Sequence, residues 1–121
     1  MANDFKRYNV TNATTSTGAS ADALYTTPAG AGSTALESIV IGITLANTGT
    51  AGVTASIFLD GYDGTDTYIV KDASIPAGSS LEVMSGNKIV LQGDGTDNDV
   101  IRVSSSSASA IDATISVLED V

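Results

Sequence analysis

Apolar and polar residues alternate with a period of two along three stretches of the chain. Over residues 38–46, Ile39, Ile41, Ile43 and Leu45 fall on one side, with Val40, Gly42, Thr44 and Ala46 on the other. Val53, Ala55, Ile57 and Leu59 stand opposite Thr54, Ser56 and Asp60. Nearer the C-terminus, Ile111, Ala113, Ile115 and Val117 alternate with Asp112, Thr114 and Ser116. Successive side chains of a strand point to opposite faces, so each stretch predicts a half-buried strand, and together they predict an antiparallel sheet. Asn47-Thr48-Gly49-Thr50 is a turn signal, which predicts that the first two strands form a hairpin.

Shorter β-prone runs lie at 5–10, 23–27, 65–71, 79–84, 88–92 and 100–104, set apart by Gly, Pro, Asn and Asp clusters. Composition agrees with strands. Thr and Ser supply 30 residues and Val and Ile another 20, whereas the helix-surface residues Glu, Gln, Lys and Leu are sparse. Short strands at roughly 8–12 residue spacing predict an all-β protein, a single antiparallel β-sandwich (jelly-roll or Ig-like) of about 8–9 strands. The 121 residues fit one domain, 1–121, with residues 1–22 expected to be a docking arm and the short N-terminal segment around Lys6-Arg7 expected to be mobile. The serine run at 104–110 reads as a flexible connection or a bulged strand.

The chain has no Cys, His or Trp, which removes histidine bases, thiol nucleophiles, zinc fingers and disulfides from consideration. Five Lys and Arg face fourteen Asp and Glu, for a net charge of −9. The cations are scattered at Lys6, Arg7, Lys71, Lys88 and Arg102, and only Lys6-Arg7 forms a pair. Neither nucleic acid nor an anionic membrane is an expected partner for such a surface. The N-terminal residues are polar and unlike a signal peptide. The apolar run at 36–46 is broken by Glu37, Ser38, Gly42 and Thr44 and falls short of the roughly 20 residues of a membrane span. The expectation is synthesis in a cytoplasm without export.

Two loops, 60–66 and 93–99, are rich in Asp and Gly. Clustered carboxylates and backbone carbonyls suit calcium, but neither loop has the EF-hand spacing, and Asp, Asn and Gly are also what tight turns select. Plain turns are the better reading. No serine sits in a Gly-x-Ser-x-Gly elbow, no Ser-x-x-Lys occurs, and Gly30-Ala31-Gly32 lacks phosphate-loop spacing. No catalytic residue, cofactor or metal is therefore expected. Among the tyrosines, Tyr62 stands in the first Asp/Gly loop and is expected to be exposed, as an interface contact.

The order of segments is more specific than any one of them. MANDFKR leads to ALYTTPA at 23–29, IVIGITLANT at 39–48, YIVKDASIPAGSSLE at 68–82 and KIVL at 88–91. Gly93-Asp94, Ile101-Arg102-Val103 and ISVLE at 115–119 follow. This series resembles small virion structural proteins of tailed bacteriophages, particularly cyanophages and other marine phages. The resemblance covers nearly the whole chain and implies a β-sandwich without catalytic residues. It implies a capsid decoration (cement) protein, or a neck or tail component, located in the virion. The implied partners are the major capsid protein or other virion proteins. The longer 93–99 loop departs from the simple Gly-Asp turn of that pattern. The Thr/Ser-rich surface with few aromatics favours a homo-oligomer, a trimer first. Phe5, Lys6, Arg7, Tyr8 and Tyr62 are the candidate interface residues. A second reading is an adhesive or carbohydrate-binding β module in a tail fibre, resting on Tyr62 and the two Asp/Gly loops.

Overall fold

The computed structural model describes residues 3–28, 30–31, 34–84 and 88–120. The Ser85-Gly86-Asn87 turn read from the sequence lies outside the described residues. In chain order the strands are β1 (Asn3–Val10), β2 (Asp22–Thr26), β3 (Gly30–Ala31), β4 (Thr34–Ala35), β5 (Glu37–Asn47) and β6 (Val53–Asp60). They continue with β7 (Asp66–Ile75), β8 (Ser80–Glu82), β9 (Ile89–Gln92), β10 (Val100–Ser105) and β11 (Ile111–Asp120). One 3-10 turn, Gly18–Ser20, precedes β2, and β3 and β4 form a small hairpin of their own.

The other nine strands make two antiparallel sheets, a five-stranded one in the order β1-β11-β5-β8 with β9 also on β5, and a four-stranded one in the order β2-β10-β6-β7. β8 pairs with Thr44–Ala46 and β9 with the Glu37 end of β5, so the two act as halves of one interrupted strand. With that pair counted once, the strand order is that of a jelly roll, and it decides between the two sandwich topologies expected. Side chains from both inner faces fill one core, including Val40, Ile43 and Leu45 from β5, Ile57 from β6, Ile101 and Val103 from β10, and Ile111, Ile115 and Val117 from β11.

Two local expectations are corrected. The segments around 38–46 and 53–60 do not form a hairpin, because β5 belongs to the five-stranded sheet and β6 to the four-stranded one. The turn is instead an arch between sheets. Asn47, 3% exposed, donates from Nδ2 to the carbonyls of Ala51 and Ile75, each at 2.9 Å, and its Oδ1 accepts from Gly49 N. Nor do Ile39, Ile41, Ile43 and Leu45 share one face. Gly42 pairs with Ser116 but Val40 with Val117, so one extra β5 residue, Ile41, opposes no partner. This bulge reverses the facing of the strand. Ser38 and Val40 point inward before it, Ile43 and Leu45 after it, and Ile41 is 40% exposed.

The β-prone run at 5–10 lies in β1, which pairs with β11 over eight positions, from Asn3 with Asp120 to Val10 with Ala113, so this part of the expected docking arm is a strand of the sheet. The serine run is likewise ordered by hydrogen bonds. Ser106 N donates to the Thr54 carbonyl, Thr54 N to Ser106 Oγ, and Ser105 Oγ to the Ser107 carbonyl.

Polar groups join the sheets at depth. Tyr25 of β2 donates its hydroxyl to Glu119 Oε2 of β11 at 2.6 Å and lies 2.9 Å from Ser38 Oγ of β5. With its one proton given to the carboxylate, the phenol oxygen accepts from the serine. All three residues are buried.

Candidate functional site

Among the described residues β1 is an edge strand, paired with β11 on one side and with no strand on the other. Its alternation sorts the predicted interface residues onto two faces. Phe5 and Arg7 pair with Leu118 and Ser116, on the outer face of the sheet. Lys6 and Tyr8 pair with Val117 and Ile115, whose side chains are in the core. The Tyr8 ring packs 5.1 Å from the ring of Tyr25 at the margin of the core, where it is 38% exposed. Phe5 is 78% exposed, the most exposed large hydrophobic residue among those described. Beside it, Arg7, Asn9, Thr11, Asp112 and Thr114 surround an open hollow of about 510 Å³. The outer face of the strand thus presents an uncovered aromatic ring and one cation, Arg7, with Lys6 on the opposite face, on a molecule whose net charge is −9.

Tyr62 does not join this group. It sits in the β6–β7 loop of the other sheet and is only half-exposed. Its backbone N–H donates to Asp99 Oδ1 at 2.8 Å, and Asp99 Oδ2 accepts from Gln92 N at 2.8 Å. One buried carboxylate therefore ties the two Asp/Gly loops together at one end of the sandwich. Other carboxylates there serve turns. Asp63 accepts from Thr65 N, Asp66 from Gly61 N, and Asp94 from both Thr96 N and Asp97 N. The last two amides hold the Asp94 carboxyl below its ordinary range. Among the described residues, no group of three or more Asp or Glu side chains is placed to hold a metal ion. The Arg102–Asp60 ion pair, 3.0 Å, lies half-exposed between β10 and β6.

Tyr25 is the most perturbed titratable group. Burial, reinforced by the hydrogen bond to Glu119, pushes its phenol well above the ordinary value near 10. The arrangement is neutral phenol against carboxylate inside a closed core, and it holds the sheets together.

Sequence reasoning missed Tyr68, which takes the exposed position that was expected of Tyr62. It lies on β7 at 40% exposure, edge-on to Phe58 with ring centroids 5.1 Å apart, and Lys71 Nζ stands 5.4 Å from its centroid. The alternation Tyr68-Ile69-Val70-Lys71 marks a strand but does not show which way that strand bulges. No helix among the described residues is long and apolar enough to cross a membrane. No protein-family model and no curated protein sequence matches the chain.

Proposed function

We propose that the protein is a non-enzymatic structural component of a bacteriophage particle, a capsid decoration (cement) protein that bridges neighbouring capsid subunits. The observation that carries the reading is the edge strand β1, with Phe5 78% exposed on the same face as Arg7, on an acidic body. An exposed aromatic residue on a sheet edge gains free energy when a partner covers it, and Arg7 beside it on that face directs it to an acidic partner surface. The jelly-roll architecture supports the reading, since capsid proteins use it, although lectins and cupins do too. So does the resemblance of its order of sequence segments to small virion proteins of tailed phages. Weak contacts repeated over a lattice give stable attachment, and binding only the assembled shell stabilises it by mass action. A symmetric trimer is the form in which one molecule reaches several capsid subunits.

The test is mass spectrometry of gradient-purified particles, followed by rebinding of the purified protein to stripped heads. Stoichiometric presence and saturable rebinding are expected, with rebinding lost in a Phe5→Ala, Lys6→Glu, Arg7→Glu variant that keeps its fold. Absence from particles overturns the proposal.

A further inference from the structure

The outer face of the four-stranded sheet carries a cleft of about 350 Å³, a volume within the roughly 300–1,000 Å³ of small-ligand sites. Its floor is unusual for an outward face. Ser56 of β6 and Ser104 of β10 are directly paired and only 6% and 7% exposed. Thr15 and Thr17 of the β1–β2 connection also line the cleft. Hydroxyls withdrawn this far from water cost free energy unless something polar complements them. Asp72 complements the Ser56 hydroxyl from within the protein.

The opposite wall is built by irregularities in β7. Ala55 pairs with Ala73 and Ile57 with Val70, which leaves Lys71 and Asp72 together opposite Ser56. Ile57 pairs with Val70 and Phe58 with Tyr68, which leaves Ile69 as a second extra residue, packed against the core. Two bulges within five residues bring Tyr68, Lys71 and Asp72 to one cleft, although neighbours in a regular strand face opposite ways. Asp72 takes φ 52°, a left-handed conformation uncommon for a residue other than glycine. Ser56 fixes it there, with Oγ accepting from Asp72 N at 2.9 Å and lying 3.4 Å from Asp72 Oδ1. Left-handed residues and bulges of this kind concentrate where a side chain is aimed at a ligand.

From this geometry we infer that the cleft binds a neutral sugar, one or two pyranose rings of a glycan. The Asp72 carboxylate accepts from a vicinal pair of sugar hydroxyls. The hydroxyls of Ser104, Thr15 and Thr17 both donate and accept, as a polyhydroxylated ligand requires. The Tyr68 ring offers an apolar surface to the C–H face of the sugar, a surface that Lys71 covers in the free protein. Lys71 then turns to a ring or hydroxyl oxygen. One positive and one negative side chain leave the cleft without net charge, so it selects for hydroxyl pattern rather than for an anion. This inference does not depend on the virion reading, since a surface glycan is reached from a head, a tail or a free protein alike.

The test is amide-resolved NMR titration with glucose, galactose, mannose, N-acetylglucosamine and, as an acidic control, glucuronate. At least one neutral pyranoside is expected to shift the amides of Tyr68, Lys71 and Asp72. Asp72→Asn, which tolerates the left-handed conformation, is expected to weaken that sugar by about tenfold or more. Tyr68→Ala is expected to weaken it similarly, with the amide spectrum confirming the fold. Thr96→Ala, in the 93–99 loop, is expected to leave it unchanged. Shifts confined to other surfaces, or no shifts with any sugar, overturn the inference. Binding of glucuronate alone, abolished by Lys71→Gln and indifferent to Asp72→Asn, overturns it in favour of an anion site.

Discussion

Replacing Tyr25 by Phe removes one oxygen from the centre of the molecule and almost no volume. The hydroxyl it deletes is the 2.6 Å donor to Glu119 and lies 2.9 Å from Ser38 Oγ, with the three residues 3%, 4% and 1% exposed. A hydrogen bond to a charged acceptor contributes about 1.5–3 kcal/mol, and the carboxylate left behind cannot recover its donor from water. The expected loss at neutral pH is about 2–3 kcal/mol, which lowers Tm by roughly 10 °C at this chain length. Glu119→Gln in the Tyr25→Phe background is expected to restore part of it, because the stranded charge is then gone. The pH dependence is a second signature. The folded state keeps the Tyr25 proton where the unfolded chain releases it. The contribution is therefore whole below about pH 10 and is lost as pH rises above it, at about 1.4 kcal/mol per unit. The variant has no such group, so the stability gap between the two proteins closes above about pH 10, while the other titrations cancel in the difference. Urea unfolding followed by circular dichroism at several pH values measures both quantities. A gap below about 0.5 kcal/mol at pH 7, or one that stays constant through the alkaline range, refutes the reasoning.

The bulge in β5 predicts that two isoleucines two positions apart behave as opposites. Ile43→Ala, fully buried, costs about 2–5 kcal/mol in denaturant unfolding, whereas Ile41→Ala, 40% exposed, costs under about 1 kcal/mol. Asp99→Ala deprives the Tyr62 and Gln92 amides of their acceptor. Hydrogen exchange at both is expected to accelerate together, with a stability loss of about 2 kcal/mol. A Cβ on Gly61 would collide with the Thr65 carbonyl oxygen. Gly61→Ala is thus expected to distort the β6–β7 loop, and a Tm equal to that of the parent protein would contradict the loop geometry. Phe5→Ala is expected to change monomer stability by less than about 0.5 kcal/mol while abolishing self-association or particle binding, as read by light scattering and sedimentation.

The fold class was legible because β11 and β6 keep a strict period of two. Ile111, Ala113, Ile115 and Val117 are all buried as the alternation requires. In β5 the same rule failed at Ile41, since a bulge leaves the composition of a strand unchanged. Gly42 beside it was the one available sign. The arch at 47–52 was misread because the residues that turn a hairpin also turn a chain between sheets, and only distant pairing distinguishes the two. The buried clasp could have been found. Extending the inward series from Val117 by two places reaches Glu119, a carboxylate where the pattern demands an apolar residue, and such a group needs a buried donor. Tyr68, Lys71 and Asp72 could not have been found this way, because a left-handed aspartate in a strand is set by its neighbours in β6 and not by its own sequence. Phe5, Lys6 and Arg7 are all exposed, but the alternation of β1 divides them between its two sides.

The strand order also constrains how the molecule comes into being. Among the described residues of the two sheets, β6 with β7 is the one pairing between successive strands, and every other ladder joins segments far apart in the chain. Asn3 pairs with Asp120, and β11 stands between β1 and β5. During synthesis at roughly 5–20 residues per second, β1 emerges first and has no partner until β11 follows it seconds later. Most of the chain entropy must be surrendered before the native ladders compensate, so folding is expected on the millisecond-to-second scale of non-local β proteins. In that interval the free β1 offers its edge to other nascent chains. Lys6 and Arg7 on that strand therefore have a use before the fold exists, keeping an unpaired edge soluble until its partner arrives.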